Sequence, residues 1–77
     1  MTVYTIEYTT RKGRARRAFP AKHLAIKFAA KRYGDTCGSI LIRTYHNAPD
    51  DLFDDDDVAA LIWTRQHEPD VVGEITF

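Results

Sequence analysis

The chain has 77 residues, 44% of them hydrophobic, and its 11 basic and 11 acidic side chains give no formal net charge. This length predicts one domain, residues 1–77, and the apolar share is too high for intrinsic disorder. No apolar run approaches the roughly 18 residues of a membrane span, and the first ten residues lack a signal-peptide pattern. We therefore expect a cytoplasmic protein.

The first 19 residues predict a β-hairpin. In "VYTIEYT" polar and apolar side chains alternate, which is typical of a strand that buries Tyr4, Ile6 and Tyr8 on one face. Gly13 suits a short hairpin loop, where positive φ is needed. The return strand, about 14–19, is rich in arginine, which is typical of an edge strand because charged side chains discourage further pairing.

The segment "FPAKHLAIKFAAKRYGD" predicts a helix. Pro20 suits the first helical position, and Gly34 is placed for a left-handed C-cap. Apolar side chains recur at helical spacing and predict the buried stripe, which consists of Ala21, Leu24, Ala25, Phe28 and Ala29.

The remaining chain predicts further strands. "GSILIRTYH" places Ile40, Ile42 and Thr44 on one face, and "VVGEITF" follows a predicted turn. "VAALIWTRQ" is ambiguous, since preceding acids suit a helix whereas "LIWT" suits a strand. We favour the strand, so the predicted fold is α+β, a small antiparallel sheet with one helix on one face in the order ββαβββ. The alternative has a second helix at about 54–67.

Charge is divided sharply along the chain. Residues 1–46 hold ten Lys or Arg against two acids, and residues 47–77 hold nine acids against Arg65 alone. Such asymmetry indicates charged partners rather than a particular fold.

The acidic loop, "PDDLFDDDD" at 49–57, offers oxygen ligands for a divalent cation. No EF-hand frame within it has both the required glycine and the required glutamate, so we predict no metal site. A solvated loop is the plain alternative to a partner-binding surface with an apolar anchor. The candidate partner-binding residues are Asp50, Asp51, Leu52, Phe53, Asp54, Asp55, Asp56 and Asp57.

The basic hairpin, "RKGRARR" at 11–17, suits phosphate contacts, and helical lysines extend it if the helix packs nearby. It carries no recognisable nucleic-acid-binding motif, and a protective edge strand is the plain alternative. The candidate nucleic-acid-binding or partner-binding residues are Arg11, Lys12, Arg14, Arg16, Arg17, Lys27 and Lys31.

Catalysis has little support in the sequence. Cys37 is the only cysteine, which excludes an internal disulfide, and no helix N-terminus follows it to activate the thiol. His46 lies near the aspartates but completes no nuclease motif. We expect no enzyme and no cofactor.

The arrangement resembles the small anti-CRISPR proteins of phages and mobile elements. The likeness lies in the hairpin "VYTIEYTTRKGRARRAF", the helix "AKHLAIKFAAKRYG", the strand "CGSILIRTY" and the segregated charge. It implies a non-enzymatic inhibitor, acting in the cytoplasm of a bacterial host and docking on a nucleic-acid machine, most readily a type I CRISPR effector complex. The aspartates would imitate phosphates and bind a Lys/Arg-rich surface.

The second hypothesis is a small nucleic-acid-binding module that uses the basic hairpin and helix. We expect no membrane partner, and a monomer as the default state.

Overall fold

Residues 1–35 and 38–75 are described by the structure, a computed structural model. The elements follow the order ββαβαβ, so the predicted α+β class is confirmed. Their bounds are β1 Val3–Thr10, β2 Gly13–Phe19, α1 Lys22–Arg32, β3 Ile40–Tyr45, α2 Val58–Arg65 and β4 Val71–Ile75.

The four described strands form one antiparallel sheet in the order β2-β1-β3-β4. The tight turn between β1 and β2 pairs Thr10 with Gly13, whose φ of 122° confirms the predicted need for glycine there. β2 lies at an edge of the sheet, as its arginines predicted, and β4 forms the other edge.

One face of the sheet packs against α1. Side chains alternate between faces along a strand, so Ile6 and Tyr8 share this face with Ile40. They pack against the buried Ala25 and Ala29 of α1. The predicted burial of the Tyr4–Ile6–Tyr8 face is therefore confirmed, with Tyr4 packed at its margin.

The opposite face packs against α2 and the loop before it. Val3 of β1 and Tyr45 of β3 are paired residues on this face, and both are buried. They form a second core cluster with Leu52 and Ala60. The sheet thus lies between two helical layers, not beneath one.

The preferred strand at 58–66 was wrong, and the alternative of a second helix is confirmed at Val58–Arg65. Ala60 and Thr64, one helical turn apart, are both buried, whereas Ile62 between them is 52% exposed. A strand would have placed these three side chains on one face. The helix prevails because it covers the second face of the sheet, and the preceding aspartates suit its N-terminus.

Three details of the first helix also differ from the prediction. The helix begins at Lys22, after an extended Ala21, so Pro20 precedes it rather than opening it. Gly34 lies in a 3-10 turn at Tyr33–Asp35 and does not adopt positive φ. Leu24, predicted to be buried, is 39% exposed. The predictions for Cys37 lie outside the described residues.

Candidate charged binding surfaces

The acidic loop is fixed to the start of the chain. It lies in the connection from β3 to α2, beside the end of the sheet where β1 begins. The backbone N–H of Ala48 donates to the Met1 carbonyl at 2.8 Å, and the terminal amine donates to the Ala48 carbonyl at 2.7 Å. The same amine forms an ion pair with Asp50 at 3.2 Å. The loop therefore has a defined path.

Asp57 fixes the other end of the acidic loop to the open edge of β2. Its carboxylate accepts from Arg17 Nε at 2.8 Å and from the backbone N–H of Ala18 at 3.2 Å. Burial opposes ionisation, but these two donors outweigh it and hold the pKa of Asp57 below its usual value. Asp57 is thus an internal contact between loop and sheet.

The loop interior is also structural. Leu52 is 9% exposed and belongs to the core, and Phe53 packs against the same cluster. Asp56 accepts from the Val58 backbone N–H at 2.9 Å, at the start of α2. Leu52 faces the protein's own core and is not placed to anchor a partner.

Three of the six loop aspartates have no partner in the described part of the chain. Asp51, Asp54 and Asp55 are exposed and form no hydrogen bond or ion pair with another described residue. Because their neighbours are fixed, these carboxylates project from a defined backbone.

The basic hairpin divides its charges among three places. Arg11 and Lys12 lie exposed at the turn. Arg14 and Arg16 pair with Thr9 and Glu7, which places them on the α2 face. Arg17 pairs with Ile6 and lies on the α1 face. Strand alternation therefore prevents these arginines from forming one continuous patch.

Phe28 connects the hairpin to the first helix. The guanidinium groups of Arg17 and Arg32 lie 5.3 Å and 5.4 Å from the centre of its ring, within cation–π range. Lys27 and Lys31 of α1 are exposed. Helix α1 therefore packs beside the hairpin, which was the condition for Lys27 and Lys31 to extend the basic surface.

The acidic loop and the Arg11–Lys12 turn of the basic hairpin lie at opposite ends of β1. Its first residue, Val3, pairs with Tyr45, which precedes the acidic loop, whereas its last residue, Thr10, adjoins the Arg11–Lys12 turn. Seven residue steps separate Val3 from Thr10, about 23 Å of extended chain. The charges of the turn and of the loop are thus separated in space, whereas Arg17 of the hairpin contacts the loop at Asp57.

The sequence-based prediction missed two charged residues, Glu7 and Arg65. Glu7 forms ion pairs with Arg14, at 3.4 Å, and with Arg43. A two-residue hairpin turn at Arg11–Lys12 implies the pairing of Glu7 with Arg16, so counting from Gly13 would have found this carboxylate. Arg65 could not be placed from the sequence, because it lies in the segment that was ambiguous between helix and strand.

The histidines have ordinary surroundings. The Thr2 hydroxyl lies 3.3 Å from His46 Nδ1. His67 stacks on Trp63 with ring centres 3.9 Å apart.

Within 1–35 and 38–75, no group of three or more His, Cys, Asp or Glu is arranged to hold a metal ion. Over the same ranges, neither helix has the length and apolar character needed to cross a membrane.

Comparison with known proteins adds no relative: no family profile, no curated protein and no solved structure matches this chain.

Proposed function

We propose that the protein is a non-enzymatic inhibitor of the anti-CRISPR type. It docks on a Lys/Arg-rich, nucleic-acid-binding surface of a type I CRISPR effector complex in the cytoplasm of a bacterial host. The observation that carries the proposal is the set of three exposed and unpaired carboxylates, Asp51, Asp54 and Asp55, on a loop whose other aspartates form internal contacts.

The fixed loop favours a binding role over a merely solvated one. A flexible loop would lose conformational entropy on binding. This loop is already ordered in the folded protein, so it would lose less. Its carboxylates meet a basic surface as a row of phosphates would, and electrostatic complementarity then sets partner choice and association rate. The contact lies with the aspartates, since Leu52 is buried in the core.

The test uses a purified type I CRISPR effector complex and a labelled target duplex. We expect the wild-type protein to reduce duplex binding, with a potency that falls steeply as salt rises. The triple variant Asp51→Asn, Asp54→Asn, Asp55→Asn should keep the fold, because none of the three forms a hydrogen bond or ion pair with another described residue, and should lose most of the inhibition.

Glu68→Gln provides the control, since it removes an exposed acid outside the acidic loop. It should inhibit as the wild type does. The proposal is wrong if the wild-type protein leaves duplex binding unchanged, or if the triple variant inhibits as well as Glu68→Gln does.

A second candidate is a nucleic-acid-binding module, and the Arg17–Phe28–Arg32 stack favours it. The stack joins hairpin and helix, so Lys27 and Lys31 extend the cationic surface toward phosphates. A gel shift with duplex and single-stranded probes at low and moderate salt tests this. We expect Lys27→Gln with Lys31→Gln to weaken the shift more than Lys22→Gln; no shift at low salt excludes the module.

A further inference from the structure

A groove opens on the α2 face of the sheet, beside the end of α2. It has a volume of about 290 Å³. We call it the arginine groove, and its lining residues are Glu7, Arg14, Ala15, Arg16 and Arg65. The second core cluster occupies the Val3–Tyr45 end of this face, so the groove lies beyond the apolar packing, toward the hairpin turn.

The arginine groove carries excess positive charge. Glu7 is the one carboxylate in its lining, and it is already paired with Arg14 and Arg43. Neither Arg16 nor Arg65 forms an ion pair with a carboxylate among the described residues. Their charges are therefore left for an outside anion.

Arg16 is held in place by neutral partners. Its guanidinium Nη2 donates to the Tyr45 hydroxyl and to the Thr64 hydroxyl, each at 3.0 Å. Its Nε is buried and has no acceptor in the described part of the chain. A fixed guanidinium with an unused donor and an uncompensated charge is a feature that an oxyanion would satisfy.

The other two arginines are free to adjust to a ligand. The side chain of Arg14 is 80% exposed and is held in the structure by a single 3.4 Å contact with Glu7. Arg65, at the end of α2, is also exposed. Arg16 thus supplies a guanidinium group fixed by two hydrogen bonds, and the two exposed guanidinium groups have room to turn toward a ligand.

We propose that the arginine groove binds a phosphate group, with Arg16 as the fixed donor and Arg14 and Arg65 as the adjustable donors. Guanidinium groups match the oxygen geometry of phosphate, and three of them around one already paired carboxylate favour a dianion or a phosphodiester. This site is separate from the acidic loop and does not rest on the inhibitor function.

The experiment follows arginine Nε–H signals by two-dimensional NMR while the intact protein is titrated. Inorganic phosphate is the first probe and a short single-stranded oligonucleotide is the second. We expect saturable shifts of the Arg16 signal, and about a tenfold weaker apparent affinity in Arg14→Gln and in Arg65→Gln, since each removes one charge-assisted contact. Lys22→Gln, an exposed cation on α1, is the control for lost charge.

The outcomes separate the sources of the phosphate. Saturable binding of both probes assigns the site to a phosphate group as such, and binding of the oligonucleotide alone assigns it to a nucleic-acid backbone. The proposal is overturned if neither probe shifts the Arg16 signal, or if Lys22→Gln weakens binding as much as the groove variants do. Arg16 itself is left intact, because its contacts with Tyr45 and Thr64 support the fold.

Discussion

Two buried threonines, Thr5 in β1 and Thr64 in α2, differ in whether their hydroxyl groups are hydrogen-bonded. Thr5 is fully buried, and its hydroxyl has no hydrogen-bond partner among the described residues. Thr64 is equally enclosed, but its hydroxyl donates to the Leu61 carbonyl at 3.1 Å and accepts from Arg16. Burial of a hydroxyl costs free energy unless it is hydrogen-bonded.

We therefore predict opposite effects for the same substitution. Thr5→Val should raise the free energy of unfolding by about 1 kcal/mol, because it removes an unsatisfied hydroxyl in a strand that favours valine. Thr64→Val should lower it by about 1–3 kcal/mol, because it removes one of the two hydroxyl acceptors of Arg16 and the hydrogen bond to the Leu61 carbonyl. Urea unfolding of the two variants measures both; equal effects would contradict the assignment.

Asp57 gives the fold a defined dependence on pH. Its pKa is lower in the folded protein than in the unfolded chain, so its contribution is present above the unfolded pKa of about 4 and is lost as pH falls through the folded value. We expect Asp57→Asn to be less stable than the wild type by about 1 kcal/mol at neutral pH.

The measurement is chemical unfolding of the wild type and Asp57→Asn between neutral and acid pH. The difference between them should shrink as the carboxyl becomes protonated. A difference that stays constant down to strongly acid pH would show that the Arg17 and Ala18 contacts do not depend on the charge of Asp57.

At the element scale, α2 offers a test of helical periodicity. Ala60 is fully buried and Ile62 is 52% exposed, although the two would share a face in a strand. Ala60→Leu should cost about 1–3 kcal/mol through overpacking, whereas Ala59→Leu, its exposed neighbour, should change stability little. Ile62→Gln should stay within about 0.5 kcal/mol. Thermal or urea unfolding measures these changes in stability. A large loss of stability in Ile62→Gln would contradict the helical assignment.

Sequence reasoning succeeded where the pattern was local. The alternation of Tyr4, Ile6 and Tyr8 and the turn glycine Gly13 were enough for the hairpin, and apolar spacing was enough for α1. It failed at Val58–Arg65 because "LIWT" has both strand propensity and helical packing, and only the uncovered second face of the sheet selects the helix.

The candidate surfaces were predicted only in part for the same reason. Charge counting found the acidic loop and the basic hairpin. It could not find that Asp57 contacts β2 or that Leu52 enters the core, since these contacts join residues distant in sequence. The arginine groove needed the strand register and the position of α2 together.

For the whole molecule, zero net charge conceals two separated poles. At low ionic strength we expect retention on both anion-exchange and cation-exchange media near pH 7, because each medium contacts one end of the molecule. Retention on both media should be lost as added salt shortens the screening length, which is about 10 Å at 0.1 M.

The triple variant of Asp51, Asp54 and Asp55 to Asn tests the source of this behaviour. It should elute earlier from the anion exchanger and bind the cation exchanger more firmly than the wild type. Unchanged elution from the anion exchanger would mean that other acids form the negative pole.

The contact between Asp57 and the Ala18 N–H also affects how the edges of the sheet can pair with strands of other chains. It occupies a donor at the β2 edge, which also carries arginines, whereas the β4 edge presents Val71 and Val72, 56% and 57% exposed. If these features keep β2 from pairing, β4 is the one edge of the described sheet that can add a neighbour. Strand pairing between copies would therefore close into a two-fold pair and stop, instead of propagating as a fibre.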